Sequence, residues 1–237
     1  METVAILVDG AFYRKQAPLL FGKKEPEDRA DELVKYCNRH LEERGNYNKL
    51  YRIFYYDCRP SEKKFIHPLT GNPVDLGKSE MHDWMTRFLG ELSNKRKVAL
   101  RLGETLESEV GYLLKPTVVK KLCKKKMKFS QVKEGDFYLD IKQKGVDMRI
   151  GLDIASLAFK RLVSQVVLIA GDSDFVPAAK HARREGIDFV LDPLHRDIRP
   201  SLNEHIDGLS CRTGLPGQNQ RDKLSVEYLG YDEDGDE

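Results

Sequence analysis

Four short apolar runs, each rich in β-branched or aromatic residues, recur along the chain at Thr3 to Val8, Leu50 to Tyr56, Val166 to Ala170 and Ile187 to Leu191. Runs this short and this continuously apolar read as strands buried on both faces. Val98 to Leu102 is a weaker fifth. Between them lie stretches with helical period, Asp28 to Arg44, Ser79 to Asn94, Val146 to Val163 and Asp174 to Glu185. Strand and helix in alternation predict an α/β fold, a parallel sheet covered by helices on both faces.

Local signals agree with this parse. Gly45 and Gly186 stand where the first and last of these helices should end in a left-handed residue. Ser173 or Asp172 can cap the helix beginning near Asp174, and Pro177 falls early enough in it to be tolerated. Two stretches fit no minimal sheet. Residues 57–77, with three prolines and two glycines, read as an irregular loop. Residues 103–144 read as an insertion with a lysine-rich centre, Lys120, Lys121, Lys124, Lys125 and Lys126 among them.

At 237 residues the chain can bury one full core, so a single domain over residues 1–212 is expected, followed by a disordered acidic tail over 213–237. The last 17 residues carry seven acids against Arg221 and Lys223, a net −5; taken from the whole chain's +2, this leaves +7 on residues 1–220. A basic body suits a polyanionic partner, although charge alone is equally satisfied by a solvated surface. No apolar stretch approaches the roughly 18 residues of a membrane span, and the N-terminus lacks the pattern of a signal peptide. The expectation is a cytoplasmic protein without membrane contact. Cys37, Cys58, Cys123 and Cys211 are too scattered for a disulfide framework or a zinc site.

Ligands of open parallel sheets gather beyond the carboxyl ends of the strands. Asp9 closes the first run, and Asp172 and Asp174 follow the fourth in Ala-Gly-Asp-Ser-Asp-Phe. Any one acid after a strand is usually a cap or a solvated turn residue. Several at one edge repel each other unless a divalent cation neutralises them, and magnesium or manganese suits an all-oxygen site. Asp147 opens the long helix that leads into the fourth run, where plain pairing with the helix dipole is the competing explanation. Asp153, rotated by roughly 240° from it on a helix, cannot face the same ion squarely.

These motifs, Val8-Asp9-Gly10, Lys144-Gly145-Val146-Asp147 with Asp153, and Gly171-Asp172-Ser173-Asp174-Phe175 with Pro177 and Gly186, resemble the NYN domain, in the LabA-like branch of the PIN-like nucleases. The resemblance runs over about residues 3–208. It implies a Rossmann-like three-layer sandwich with five or six mainly parallel strands, and a magnesium or manganese site used to cleave RNA. Residue by residue, it gives catalytic and metal-holding roles to Asp9, Asp147, Asp172 and Asp174, and secondary roles to Ser173 and Asp153. Many members carry an asparagine two or three residues after the first aspartate; here those positions are Ala11 and Phe12.

The chemistry expected is hydrolysis of RNA phosphodiesters by a metal-activated water, the work of a metal-dependent endoribonuclease. Lys120, Lys121, Lys124, Lys125, Lys126 and Lys144 are the expected phosphate contacts for single-stranded or structured RNA, with Phe129, Phe137 and Tyr138 near enough to stack on bases. A non-catalytic RNA-binding or regulatory protein is the first alternative. An NADH-dependent hydroxylase of a pyridine compound, a label some domain relatives bear, is the second; no Gly-x-Gly-x-x-Gly follows the first strand to support it. The oligomeric state stays open, a homodimer included.

Overall fold

The computed structural model describes residues 1–43, 46–171 and 173–213. The central sheet is built from β1 (Thr3–Asp9), β2 (Lys49–Cys58), β3 (Val98–Thr105), β4 (Gln143–Lys144), β5 (Gln165–Ile169), β6 (Asp188–Asp192) and β7 (Gly208–Leu209). Their spatial order is β4-β3-β2-β1-β5-β6-β7, all neighbours parallel except the antiparallel edge pair of β4 with β3. The sheet thus has seven strands among the described residues rather than five or six. The two extra members, β4 and β7, are two-residue edge strands too short to leave a hydrophobic signature.

Leaving β4 aside, the parallel strands run 3-2-1-4-5-6 in chain order, so the winding reverses between β1 and β5. Side-chain alternation along β1 divides the core. Val4, Ile6 and Val8 face one layer, with Tyr13, Leu33, Tyr36, Phe88 and Leu92; Ala5 and Leu7 face the other, with Ile150, Ile154, Leu157, Ala179 and Ala182. The first layer is formed by helices α1 (Gly10–Phe21), α2 (Pro26–Arg39) and α3 (Glu80–Asn94), and the second by α5 (Val146–Phe159), α6 (Val176–Arg184) and the short α7 (Pro200–Asn203). The three-layer expectation therefore holds.

Several boundaries moved. The first amphipathic helix ends at Arg39, and Glu42–Glu43 turns back to pair with Asn46–Tyr47; Gly45 lies outside the described residues. The last begins at Val176, after a single 3-10 turn over Ser173–Phe175, and Gly186 has the left-handed φ of 78° expected after its end. Helix α1 escaped the sequence reading because a glycine start and an internal Pro18 blur its pattern.

The stretch read as an irregular loop instead holds a hairpin, Lys64–Ile66 with Pro73–Asp75. It packs against a second hairpin, Gly111–Leu114 with Phe137–Asp140, through Phe65, His67, Tyr112 and Phe137, whose rings lie 4.7 to 5.7 Å apart. Between the strands of the second hairpin sits α4 (Pro116–Cys123). These pieces form a small lobe next to the β3 edge. No helix among the described residues is long and apolar enough to cross a membrane.

Gly10 fixes the junction of β1 with α1. A Cβ there would lie 2.5 Å from Asp57 Oδ2 and 2.6 Å from the Tyr55 ring, both on buried side chains with no room to yield. Gly10→Ala is expected to destabilise the fold by about 1–3 kcal/mol, read as a lower midpoint in urea, because overpacking outweighs the gain in helix propensity.

Candidate functional site

The carboxyl edge of the sheet, where the winding reverses, gathers most of the chain's strand-end acids. Asp9 is the last residue of β1 and caps α1, its Oδ1 accepting the Phe12 amide at 3.1 Å. Val8 lies opposite Ile169, so the Gly171 turn beyond β5 stands beside Asp9. The two turns touch: a Cβ on Gly171 would come within 2.5 Å of the Phe12 ring. Asp174 is exposed in the Ser173–Phe175 turn, which packs against α5, the helix whose first turn carries Asp147. Asp172 and the side chain of Ser173 lie outside the described residues.

Asp9 is the electrostatically strained member. Burial pushes its carboxyl up to about 6; the Phe12 amide opposes this, and the carboxylates of Asp147 and Asp57 raise it further. Aspartates of β2 and α5 therefore both act on the one that ends β1. Among the described residues, no group of three histidine, cysteine or acidic side chains is disposed to hold a metal ion by itself. Asp57 in particular is committed elsewhere. It is fully buried and accepts from Arg14 Nε at 2.9 Å, Arg14 Nη2 at 3.0 Å, Tyr55 Oη at 3.0 Å, the Cys58 amide at 2.8 Å and Gln143 Nε2 at 3.2 Å. Asp9 and Asp147 are the acids that could hold magnesium, an ion that keeps several waters and often takes only one or two protein carboxylates.

Asp57, Arg14, Tyr55 and Gln143 were missed by sequence reasoning. The signal for Asp57 was present, since Tyr55-Tyr56-Asp57 ends the second strand as Val8-Asp9 ends the first. Its partners come from remote segments and left no trace. Asp153 accepts from Tyr56 Oη at 2.8 Å and from Arg101 Nε at 3.0 Å, which ties α5 to β2 and β3. Lys120 and Lys121 are exposed on α4, Lys124, Lys125 and Lys126 follow it at the surface, and Lys144 is exposed on β4. Of the three aromatics expected to stack, Phe129 is 67% and Tyr138 37% exposed, whereas Phe137 is packed against His67 inside the lobe.

The fold is a doubly wound α/β sheet with neighbouring aspartates at its reversal point. The family model of the NYN domain matches residues 106–197 of the chain. That stretch holds Asp147, Asp153 and Asp174, while Asp9 and Asp57 precede it. NYN domains are PIN-like, and this family is generally one of nucleases. No curated protein matches the chain. The crystal structure of a protein of unknown function from Vibrio parahaemolyticus is similar at a TM-score of 0.43 and 14% identity, over 88% of this chain and 91% of that one. A likeness of that size carries no functional argument.

Two outcomes follow from the electrostatics. Asp9 titrates near 6 when folded against an ordinary value of 3.8, so its contribution favours the fold below pH about 4 and is lost as pH rises through 6. Asp9→Asn, which keeps a capping oxygen, should remove this slope and stabilise the metal-free protein at pH 7 by about 1–3 kcal/mol in urea melts with chelator present. Arg14→Met should do the reverse, costing about 3–5 kcal/mol by stranding the buried Asp57 charge. Adding Asp57→Asn to it should recover much of the loss.

Proposed function

We propose that this protein is a metal-dependent ribonuclease of the LabA-like NYN branch, cutting RNA phosphodiesters at the edge formed by Asp9 and Asp147. The observation that carries the reading is the carboxyl of Asp9, raised to about 6 by burial and by the carboxylates of Asp147 and Asp57, at the sheet's reversal point. A divalent cation relieves that repulsion. Asp9 and Asp147 would hold it, with Asp172 and Asp174 of the adjoining turn completing the ligand set. When bound, magnesium or manganese lowers the pKa of a water and offsets charge building on the scissile phosphate.

The remaining residues position the substrate. The lysines of α4 and its C-terminal extension, with Lys144, draw the phosphate backbone, and the exposed Phe129 and Tyr138 offer stacking faces to unpaired bases. Single-stranded segments suit such surfaces best. One observation favours the non-catalytic alternative: Phe12, one of the two positions (with Ala11) where many NYN members carry an asparagine, lies against Gly171 and makes that side of the site apolar.

The test is incubation of labelled single-stranded RNA, structured RNA and DNA with magnesium, manganese or chelator. Cleavage of RNA that needs the metal, and falls about 100-fold or more in Asp9→Asn and in Asp147→Asn, is the expected result. Tight RNA binding without cleavage in either metal would favour the non-catalytic reading, and cleavage that persists with chelator would end the proposal. Replacing Lys120, Lys121 and Lys124 by glutamate should weaken RNA binding across sequences and reduce the slope of log K against log salt by about 2–3.

A further inference from the structure

Helix α5 buries Val146, Ile150, Ile154, Leu157 and Ala158 against the sheet, as an amphipathic helix should. Its opposite face should then be polar, and it is not. Met148 is 71%, Leu152 63% and Phe159 73% exposed. With Ala155 they follow the i, i+4, i+7, i+11 spacing of a single stripe, about 17 Å long at 1.5 Å per residue. Gly151 lies on the same side, and a Cβ built there would meet nothing within 4 Å. A contiguous exposed apolar stripe, unlike scattered apolar residues, marks an interaction surface.

The order of residues along the stripe says what covers it. If a second α5 is laid antiparallel across the first, with a two-fold axis midway between residues 153 and 154, Met148 falls opposite the partner's Phe159 and Leu152 opposite the partner's Ala155. In the same register Gly151 meets the partner's Ser156, and Asp147 meets the partner's Lys160. Large side chains face large at the ends, large faces small beside the axis, and an acid faces a base at each rim. A glycine and an alanine four apart let two helix backbones approach closely. A surface complementary to itself under a two-fold rotation is what an isologous dimer requires.

We infer that the outer face of α5 is a homodimer interface in which Met148, Leu152, Ala155 and Phe159 pack against the same residues of a second copy, antiparallel. The pairing of Met148 with the partner's Phe159 adds a sulfur–aromatic contact at both ends of the stripe. Because Asp147 opens α5, the partner's Lys160 stands at the margin of the candidate site, which makes each site a neighbour of the interface. The dimer holds whether or not the protein cleaves RNA.

Sedimentation equilibrium and cross-linking test this directly. The full chain should sediment as a dimer, and Leu152→Glu, which alters both copies at once, should raise the dissociation constant about 100-fold with an unchanged circular dichroism spectrum at about 25 °C. For the register, Met148→Cys and Phe159→Cys are made separately with Cys123→Ser, which removes the exposed native thiol. Mixed under mild oxidation, the two proteins should form a disulfide-linked pair, whereas neither alone should do so, since like positions stand about 17 Å apart along the axis. A chain that stays monomeric at all concentrations overturns the inference. So does a Met148→Cys protein that cross-links to itself as readily as to Phe159→Cys. A monomer whose Met148→Cys thiol resists modification also overturns it and assigns the stripe to a segment of the same chain.

Discussion

The architecture of the carboxyl edge depends on one buried charge. Asp57 has no exposure, and an isolated carboxylate in that position is costly enough to unfold a domain of ordinary stability. It is tolerated because Arg14 grips both oxygens while a tyrosine, a glutamine and a backbone amide take further lone pairs. Those partners come from α1, β2 and β4, so the network joins the start of the chain to its sheet edge. Gly10 is the geometric condition for it, since any side chain there would occupy the space of Asp57 and Tyr55.

Three parallel strands end in or one residue after an aspartate, and the three carboxylates meet different fates. Asp57 is matched by Arg14. Asp192, at the end of β6, is equally buried but takes Tyr36 Oη, His40 Nε2 at 2.9 Å and the Leu194 amide at 2.8 Å, and so fastens the C-terminal part of the sheet to α2. Asp9 is raised chiefly by burial and further by the carboxylates of Asp147 and Asp57, against the lowering effect of the Phe12 and Ala11 amides. Position at a strand end is common to all three, so position alone does not mark a functional acid.

That distinction explains how far the sequence could be read. Strands β1, β2, β5 and β6 were legible because burial on both faces forces continuous apolar runs, and the helices of both layers because one-sided burial imposes a period. Edge strands of two residues and a helix containing Gly10 and Pro18 carry no such imprint. Asp9, Asp147 and Asp174 could be named from their places in the pattern. The Arg14–Asp57 pair is 43 residues apart in sequence, and Gln143 stands 86 residues from Asp57; nothing local announces either contact. The outer stripe of α5 was visible as apolar residues but not as exposed ones, since the helix is apolar on most sides and only the packed sheet reveals which face is left over.

The lobe beside β3 is tied to this edge more tightly than its place outside the main core suggests. Lys63 Nζ donates to the Val110 carbonyl at 2.6 Å and Ser61 Oγ to Glu107 at 2.7 Å, so its two hairpins are linked at their base as well as through their rings. The chain then returns to the sheet as β4, where the Lys144 carbonyl lies 2.6 Å from the position a Cβ on Gly103 would take. Such close backbone packing leaves β4 little freedom to shift without its neighbours. Gln143 of that strand bonds Asp57, and the next helix begins with Asp147. The lysine-bearing lobe is thus joined through β4 both to Asp57 and to the helix that carries Asp147.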